Sequence, residues 1–135
     1  MVTIAITYHG DLRCESTHAP SGTTLLTDAP VDNQGKGASF SPTDLVATAL
    51  GTCMLTVMGI AARKHGIAME GATAVVEKTM VASPTRRVGS LKTVITMPRK
   101  LDDAQRQLLE TAALTCPVKQ SLHPDVALVV EFVWP

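Results

Sequence analysis

Ser41-Pro42-Thr43-Asp44-Leu45-Val46-Ala47-Thr48-Ala49-Leu50-Gly51-Thr52-Cys53-Met54-Leu55-Thr56-Val57-Met58-Gly59-Ile60-Ala61-Ala62-Arg63-Lys64-His65-Gly66 reads as one long helix with both ends marked. Ser41 can N-cap it, and Pro42 suits the first helical position, where no N–H is needed. Asp44 falls at the third position and can complete a capping-box-like arrangement at the positive end of the helix dipole. Arg63, Lys64 and His65 place positive charge on the last turn, and Gly66 offers a left-handed stop. Leu45 to Ala62 carries no charge. A helix that is apolar or small all round must be covered all round. At about 1.5 Å per residue it spans roughly 36 Å, the width of a small domain. A membrane span is the rival reading, because about 18 uncharged residues is near the necessary length. Ala, Gly and Thr stand where Leu, Ile and Phe would be expected, and no aromatic belt flanks the stretch. A buried core helix and no membrane partner are therefore expected.

The chain has 135 residues, which fits one domain over 1–135. Its 12 basic and 12 acidic side chains cancel, so a basic face for nucleic acid or an anionic membrane is not expected. Aromatic content is only 3%, so Val, Leu, Ile, Ala and Met must build the core. A small sheet covers one or two sides of a helix, so the all-apolar helix implies a second copy of the chain. Three cysteines make an odd number and do not suggest a secreted disulfide framework. The run Met1 to Gly10 lacks the basic and long apolar segments of a signal peptide. A cytoplasmic protein with reduced thiols is the expectation.

Outward from the helix, residues 2–9 alternate as a half-buried strand, with Val2, Ile4, Ile6 and Tyr8 on one side. Gly10-Asp11 signals a turn, and 12–17 reads as the return strand. Residues 23–27 make a third strand, and Asp28 to Phe40 is a loop leading into the helix cap. After the helix, 72–81 and 88–97 read as paired strands around a turn at Ser83-Pro84-Thr85-Arg86-Arg87. A second helix begins near Asp102 and Asp103, with Leu108, Leu109, Ala112 and Ala113 as its apolar stripe. Cys116-Pro117 breaks it. A short third helix, 117–122, precedes an apolar strand at 126–133. The order βββ-α-ββ-α-α-β is α+β with mostly antiparallel pairing.

Cys53 and Cys116 are the residues that can carry chemistry. Cys53, in a helix interior, is either a small buried hydrophobe or a nucleophile. With Pro117 opening a new helix, Cys116 stands at its N-cap, where free N–H groups lower a thiol pKa, unless it is simply a core residue at a helix end. Cys14, beside Arg13 and Glu15, reads as a packed strand residue. His9, His18, His65 and His123 fall in different elements without ligand spacing, and there is no C-x-x-C, so neither a metal site nor a thioredoxin-like motif is expected. No phosphate loop or serine elbow is present.

The run Ser41-Pro42-Thr43-Asp44-Leu45 through Ala49-Leu50-Gly51-Thr52-Cys53, with Thr115-Cys116-Pro117-Val118 downstream, resembles the OsmC/Ohr family. The order of strands and helices resembles that family along essentially the whole chain. The resemblance implies an intertwined homodimer, with antiparallel sheets of both chains wrapped around two long central helices. It implies a thiol-dependent peroxidase in which Cys53 attacks an organic hydroperoxide and becomes a sulfenic acid. Cys116 then closes a disulfide with it, and an external dithiol of lipoyl type, carried by a partner protein, reduces that bond. No bound cofactor or metal is implied. Apolar surroundings imply a small apolar hydroperoxide as substrate.

The family pattern also places an arginine from the N-terminal strands and a glutamate early in the long helix beside the reactive thiol. Arg13 is the only arginine ahead of the helix. At the glutamate's position this chain has Thr43, and the acid Asp44 comes one residue later. One step rotates a helical side chain by about 100°. Arg13 and Asp44 are thus the candidates for that pair, alternatively a strand residue and a helix cap. His18 is a candidate pocket residue. The second functional reading is a non-catalytic protein of the same fold that binds a small apolar ligand or senses redox state through its thiols.

Overall fold

The structure is a computed structural model that describes residues 1–135. Its elements are β1 (Ile4–Gly10), β2 (Arg13–His18), β3 (Thr24–Asp28), α1 (Pro42–Lys64), β4 (Thr73–Val81), β5 (Arg87–Thr96), α2 (Asp103–Leu114), α3 (Pro117–Ser121) and β6 (Ala127–Val133). This is the expected α+β order. Contacts divide the chain into two compact units, Met1–Val46 and Ala47–Pro135.

In the first unit β1, β2 and β3 form an antiparallel sheet in that order. Asp11 and Leu12 both take positive φ, 51° and 63°, as a two-residue hairpin turn requires. Paired residues share a face, so the register Ile4↔His18, Ile6↔Ser16, Tyr8↔Cys14 and Ser16↔Leu25 gathers Ile4, Ile6, Tyr8 and Leu25 on one side. The alternation predicts a half-buried β1. Within the chain, however, Ile6 remains 67% and Tyr8 63% exposed. Nothing in one copy covers this face. Residues 29–40 fold back as an ordered loop around a single 3-10 turn at Val31–Asn33.

In the second unit β5 is central, antiparallel to β4 and parallel to β6. The pairing is mostly antiparallel, as expected, and β5–β6 is the parallel exception. Helices α2 and α3 intervene between β5 and β6, and a crossover of that length lets the chain return in the same direction. The inner face presents Val76, Thr93 and Val130 in register, with Leu91 and Ile95 fully buried. Helix α1 lies on it at Gly51, where an added Cβ would meet Val76 Cγ2 at 2.9 Å and Ala74 Cβ at 3.7 Å. One stripe of α1 is buried, Ala47, Leu50, Gly51, Met54, Met58 and Ala62. The opposite row, Thr48, Thr52, Thr56 and Ile60, is exposed. One copy of the chain therefore covers one side of the helix. By length and composition α1 could cross a bilayer, with a third of that window buried in this fold.

Both long helices are capped, α1 as expected. The Asp44 carboxylate accepts the Ser41 N–H at 2.8 Å, and Ser41 Oγ accepts the Asp44 N–H at 3.1 Å. Helix α2 has the equivalent box between Asp102 and Gln105. At the other end of α1, Gly66 takes the left-handed φ of 64°. Trp134, beyond β6, donates to Glu110 of α2 at 2.9 Å, stacks on Phe132 and lies under the Arg106 guanidinium. These contacts fasten the last strand to α2.

Candidate thiol site

Cys53 sits in the middle of α1, half-buried between exposed Thr52 and buried Met54. Cys116 lies in the bend between α2 and α3 and is fully buried. Pro117 prevents α2 from continuing, so the chain leaves through Cys116 in extended geometry, φ −62° and ψ 141°, and restarts as α3. Cys116 caps the new helix, its Sγ accepting the Lys119 N–H at 3.3 Å. The helix-cap position foresees a lowered thiol pKa. The structure gives the reverse. Burial pushes the Cys116 thiol up, and the N–H groups of Lys119 and Val118 only partly oppose it. Cys53 acts on that thiol through hydrogen bonding and charge, both in the raising direction. The fold thus brings the two cysteines together with unequal exposure. Neither is in a disulfide, nor is Cys14.

Cys14 is half-buried on β2, on the face that carries Tyr8. Arg13, at the start of β2, approaches Asp28 at the end of β3, Nε to Oδ2 at 3.9 Å. The strand register places the two residues opposite one another. Asp44, the acid proposed for a pair with arginine, closes the α1 cap on Ser41. His18 is a surface residue whose Nδ1 bonds Ser21 Oγ at 2.7 Å.

Asp28 is the polar residue that sequence reasoning passed over as a loop residue. It is 1% exposed, and its Oδ2 accepts the Ala38 N–H at 2.9 Å. That hydrogen bond holds its pKa below the usual carboxylate value against the cost of burial, and the Arg13 charge adds to the lowering. An aspartate ahead of Ala29-Pro30 looks like ordinary loop chemistry, so only the fold distinguishes it.

An open groove of about 480 Å³ runs along α2 between Ala61, Ala104, Leu108, Thr111 and Thr115, and includes neither thiol. No three His, Cys, Asp or Glu side chains stand together as a metal-binding group.

The site is thus a long core helix that presents one half-exposed thiol to a second, buried thiol at a helix N-cap, in an α+β fold. The profile of the family described as OsmC-like protein matches residues 35–131, and the chain belongs to that family. A structure from Psychrobacter arcticus 273-4, described as an osmotic stress induced and detoxification response protein, is 50% identical with a TM-score of 0.92. That alignment covers 98% of this chain and 96% of the other. An organic hydroperoxide resistance protein OsmC from Legionella pneumophila shares the fold at 16% identity and TM-score 0.79, over 98% and 96% of the two chains. A Vibrio cholerae organic hydroperoxide resistance protein, with captopril in one of its active sites, shares it at 20% identity and TM-score 0.73, over 98% and 90%. No curated protein matches the sequence.

Proposed function

We propose that the chain is a thiol-dependent peroxidase for organic hydroperoxides, with Cys53 as the attacking thiolate and Cys116 as the resolving thiol. The observation that carries this reading is the interaction of a half-exposed Cys53 with a buried Cys116, whose thiol burial pushes up. Cys53 attacks the terminal oxygen of the hydroperoxide. The O–O bond breaks, the alkoxide takes a proton and leaves as the alcohol, and Cys53 becomes a sulfenic acid. Cys116 then attacks the Cys53 sulfur, its proton leaves with the hydroxyl as water, and a disulfide forms. An external dithiol of lipoyl type, delivered by a partner protein, returns both thiols by exchange. Burial of Cys116 suits a resolving role, because a protonated, inaccessible thiol does not compete for peroxide. The names of the Legionella and Vibrio relatives support the substrate class.

Arg13 is assigned the role of the cation that favours the reactive thiolate. Asp44 is assigned the helix cap. A second reading, a thiol sensor or apolar-ligand binder of the same fold, draws on that engagement of Asp44 at Ser41. The protein is proposed to work as a cytoplasmic homodimer with no bound cofactor.

The test is intact mass and free-thiol count after one equivalent of cumene hydroperoxide, for wild type and Cys116→Ser. The peroxidase reading expects loss of two hydrogens in wild type, with Cys53 and Cys116 joined in the peptide map. It expects a trapped sulfenic acid on Cys53 in the variant. Unchanged thiols in both proteins would discard the peroxidase and leave the sensor or binder.

A further inference from the structure

We infer that Asp28 is the residue that positions Arg13. The functional half of this inference rests on the peroxidase reading. Its structural half stands on the first unit alone. Asp28 ends β3 directly opposite Arg13 at the start of β2, so the strand ladder sets the spacing of the two backbones. The carboxylate is itself immobilised. Oδ2 takes the Ala38 N–H, and the loop around it is closed by backbone bonds from Asp28 N to Phe40 O at 3.1 Å and from Gly37 N to Ala29 O at 3.2 Å. Ser39 Oγ adds a bond to Leu26 O at 2.8 Å. Gly35 lies so close to the Ala29 carbonyl that a Cβ would collide with it, which shows how tightly the loop is folded.

Arg13 is the opposite kind of side chain, long and 44% exposed. A flexible guanidinium loses much rotamer freedom when it is fixed, and a rigid anion at its base offsets part of that cost. The geometry shows which part is held. Closest approach is through Nε, not through the Nη pair, so the outer edge of the guanidinium is left for another anion. Asp28 Oδ1, buried and without a hydrogen-bond partner, is the remaining acceptor on the same carboxylate. A buried carboxylate needs a cation. Arg13 is the one that approaches it. The family pattern looks for this acid on the long helix. In this chain the geometry assigns it to the end of a strand, on the sheet that carries Arg13.

The experiment is a double-mutant cycle with Arg13→Ala, Asp28→Asn and the combined variant, each checked for fold by circular dichroism. Two rates are measured at Cys53 by peptide mapping, reaction with cumene hydroperoxide and alkylation by iodoacetamide over a range of pH. If Asp28 works through Arg13, each single variant slows Cys53 on the order of tenfold, the effect of about one unit in the thiol pKa. The double variant is then no slower than Arg13→Ala. Wild-type rates in folded Asp28→Asn, or losses that add in the double variant, overturn the inference. Wild type that ignores hydroperoxide removes the peroxidase reading, while alkylation still reads the coupling. Should Asp28→Asn not fold, the Arg13 Nε–H resonance of the wild type, identified by its loss in Arg13→Lys, decides. A restricted, slowly exchanging Nε–H supports the pair, and a freely exchanging one overturns it.

Discussion

Cys116 is under two opposing influences. The free N–H groups at the start of α3 favour a thiolate, and complete burial disfavours it more strongly. A five-residue helix has little dipole to offer against that. At neutral pH, iodoacetamide should therefore label Cys53 in the native protein and reach Cys116 only in denaturant, a difference that peptide mapping reads directly. Asp28 has the opposite shift, downward. Its ionised form contributes stability that is present above the unfolded carboxylate value of about 3.9 and is lost as pH falls through the lower folded value. The stability gap between wild type and Asp28→Asn should be open at pH 7 and narrow below about pH 4, as denaturant midpoints across that range would show. Thr93 is fully buried on the inner face of β5, and its Oγ1 has no partner. Burying an unpaired hydroxyl costs about 1–3 kcal/mol. Thr93→Val, which keeps the branched shape, should raise the melting temperature. An unchanged or lower value would mean that the hydroxyl is paired in solution.

The close contact between α1 and sheet β4-β5-β6 depends on Gly51 having no side chain. A methyl there would gain about 1 kcal/mol of helix propensity but would press on Val76 at a distance that real Cβ atoms avoid. Overpacking of this kind costs about 1–3 kcal/mol, so Gly51→Ala should destabilise the protein on balance. In a Val76→Ala background the same change should become neutral or stabilising, and chemical denaturation of the four proteins measures that coupling. Elements of this kind were the legible part of the sequence. The α1 ends were readable because Ser41, Pro42, Asp44 and Gly66 each act locally, and the structure uses Ser41 and Asp44 in the cap as their chemistry dictates. The parallel pairing of β6 was not readable, since it depends on the path taken by α2 and α3. The meeting of Cys53 and Cys116, which the same path determines, was implied by the family resemblance and not by their spacing. The importance of Asp28 was hidden for a different reason. Its neighbours Ala29 and Pro30 are turn residues, and its buried carboxylate is held by a hydrogen bond from Ala38, ten positions away.

For the whole molecule, the deciding fact is where apolar surface is left uncovered. Among residues 1–46 only Thr27, Asp28 and Ser41 are buried, and no apolar side chain is. A three-stranded sheet needs a covered hydrophobic face to persist. The face with Ile4, Ile6, Tyr8 and Leu25 has none within one copy. In the other unit, α1 exposes Thr48, Thr52, Thr56 and Ile60 along one row. Thr52 and Thr56 return their hydroxyls to carbonyls one turn back, at 2.7 and 2.8 Å, so this row presents methyl groups outward. Exposed apolar surface on both units is what a second copy would cover. Light scattering after size exclusion should accordingly give twice the chain mass at micromolar concentration, and the melting temperature should rise with protein concentration. Ile6→Glu and Ile60→Glu each place a charge on one of the two faces. Each should weaken association by about 3 kcal/mol, more than a hundredfold in the dissociation constant. A monomer at all concentrations, or a dimer indifferent to both substitutions, would show that these faces are covered by something other than a second copy.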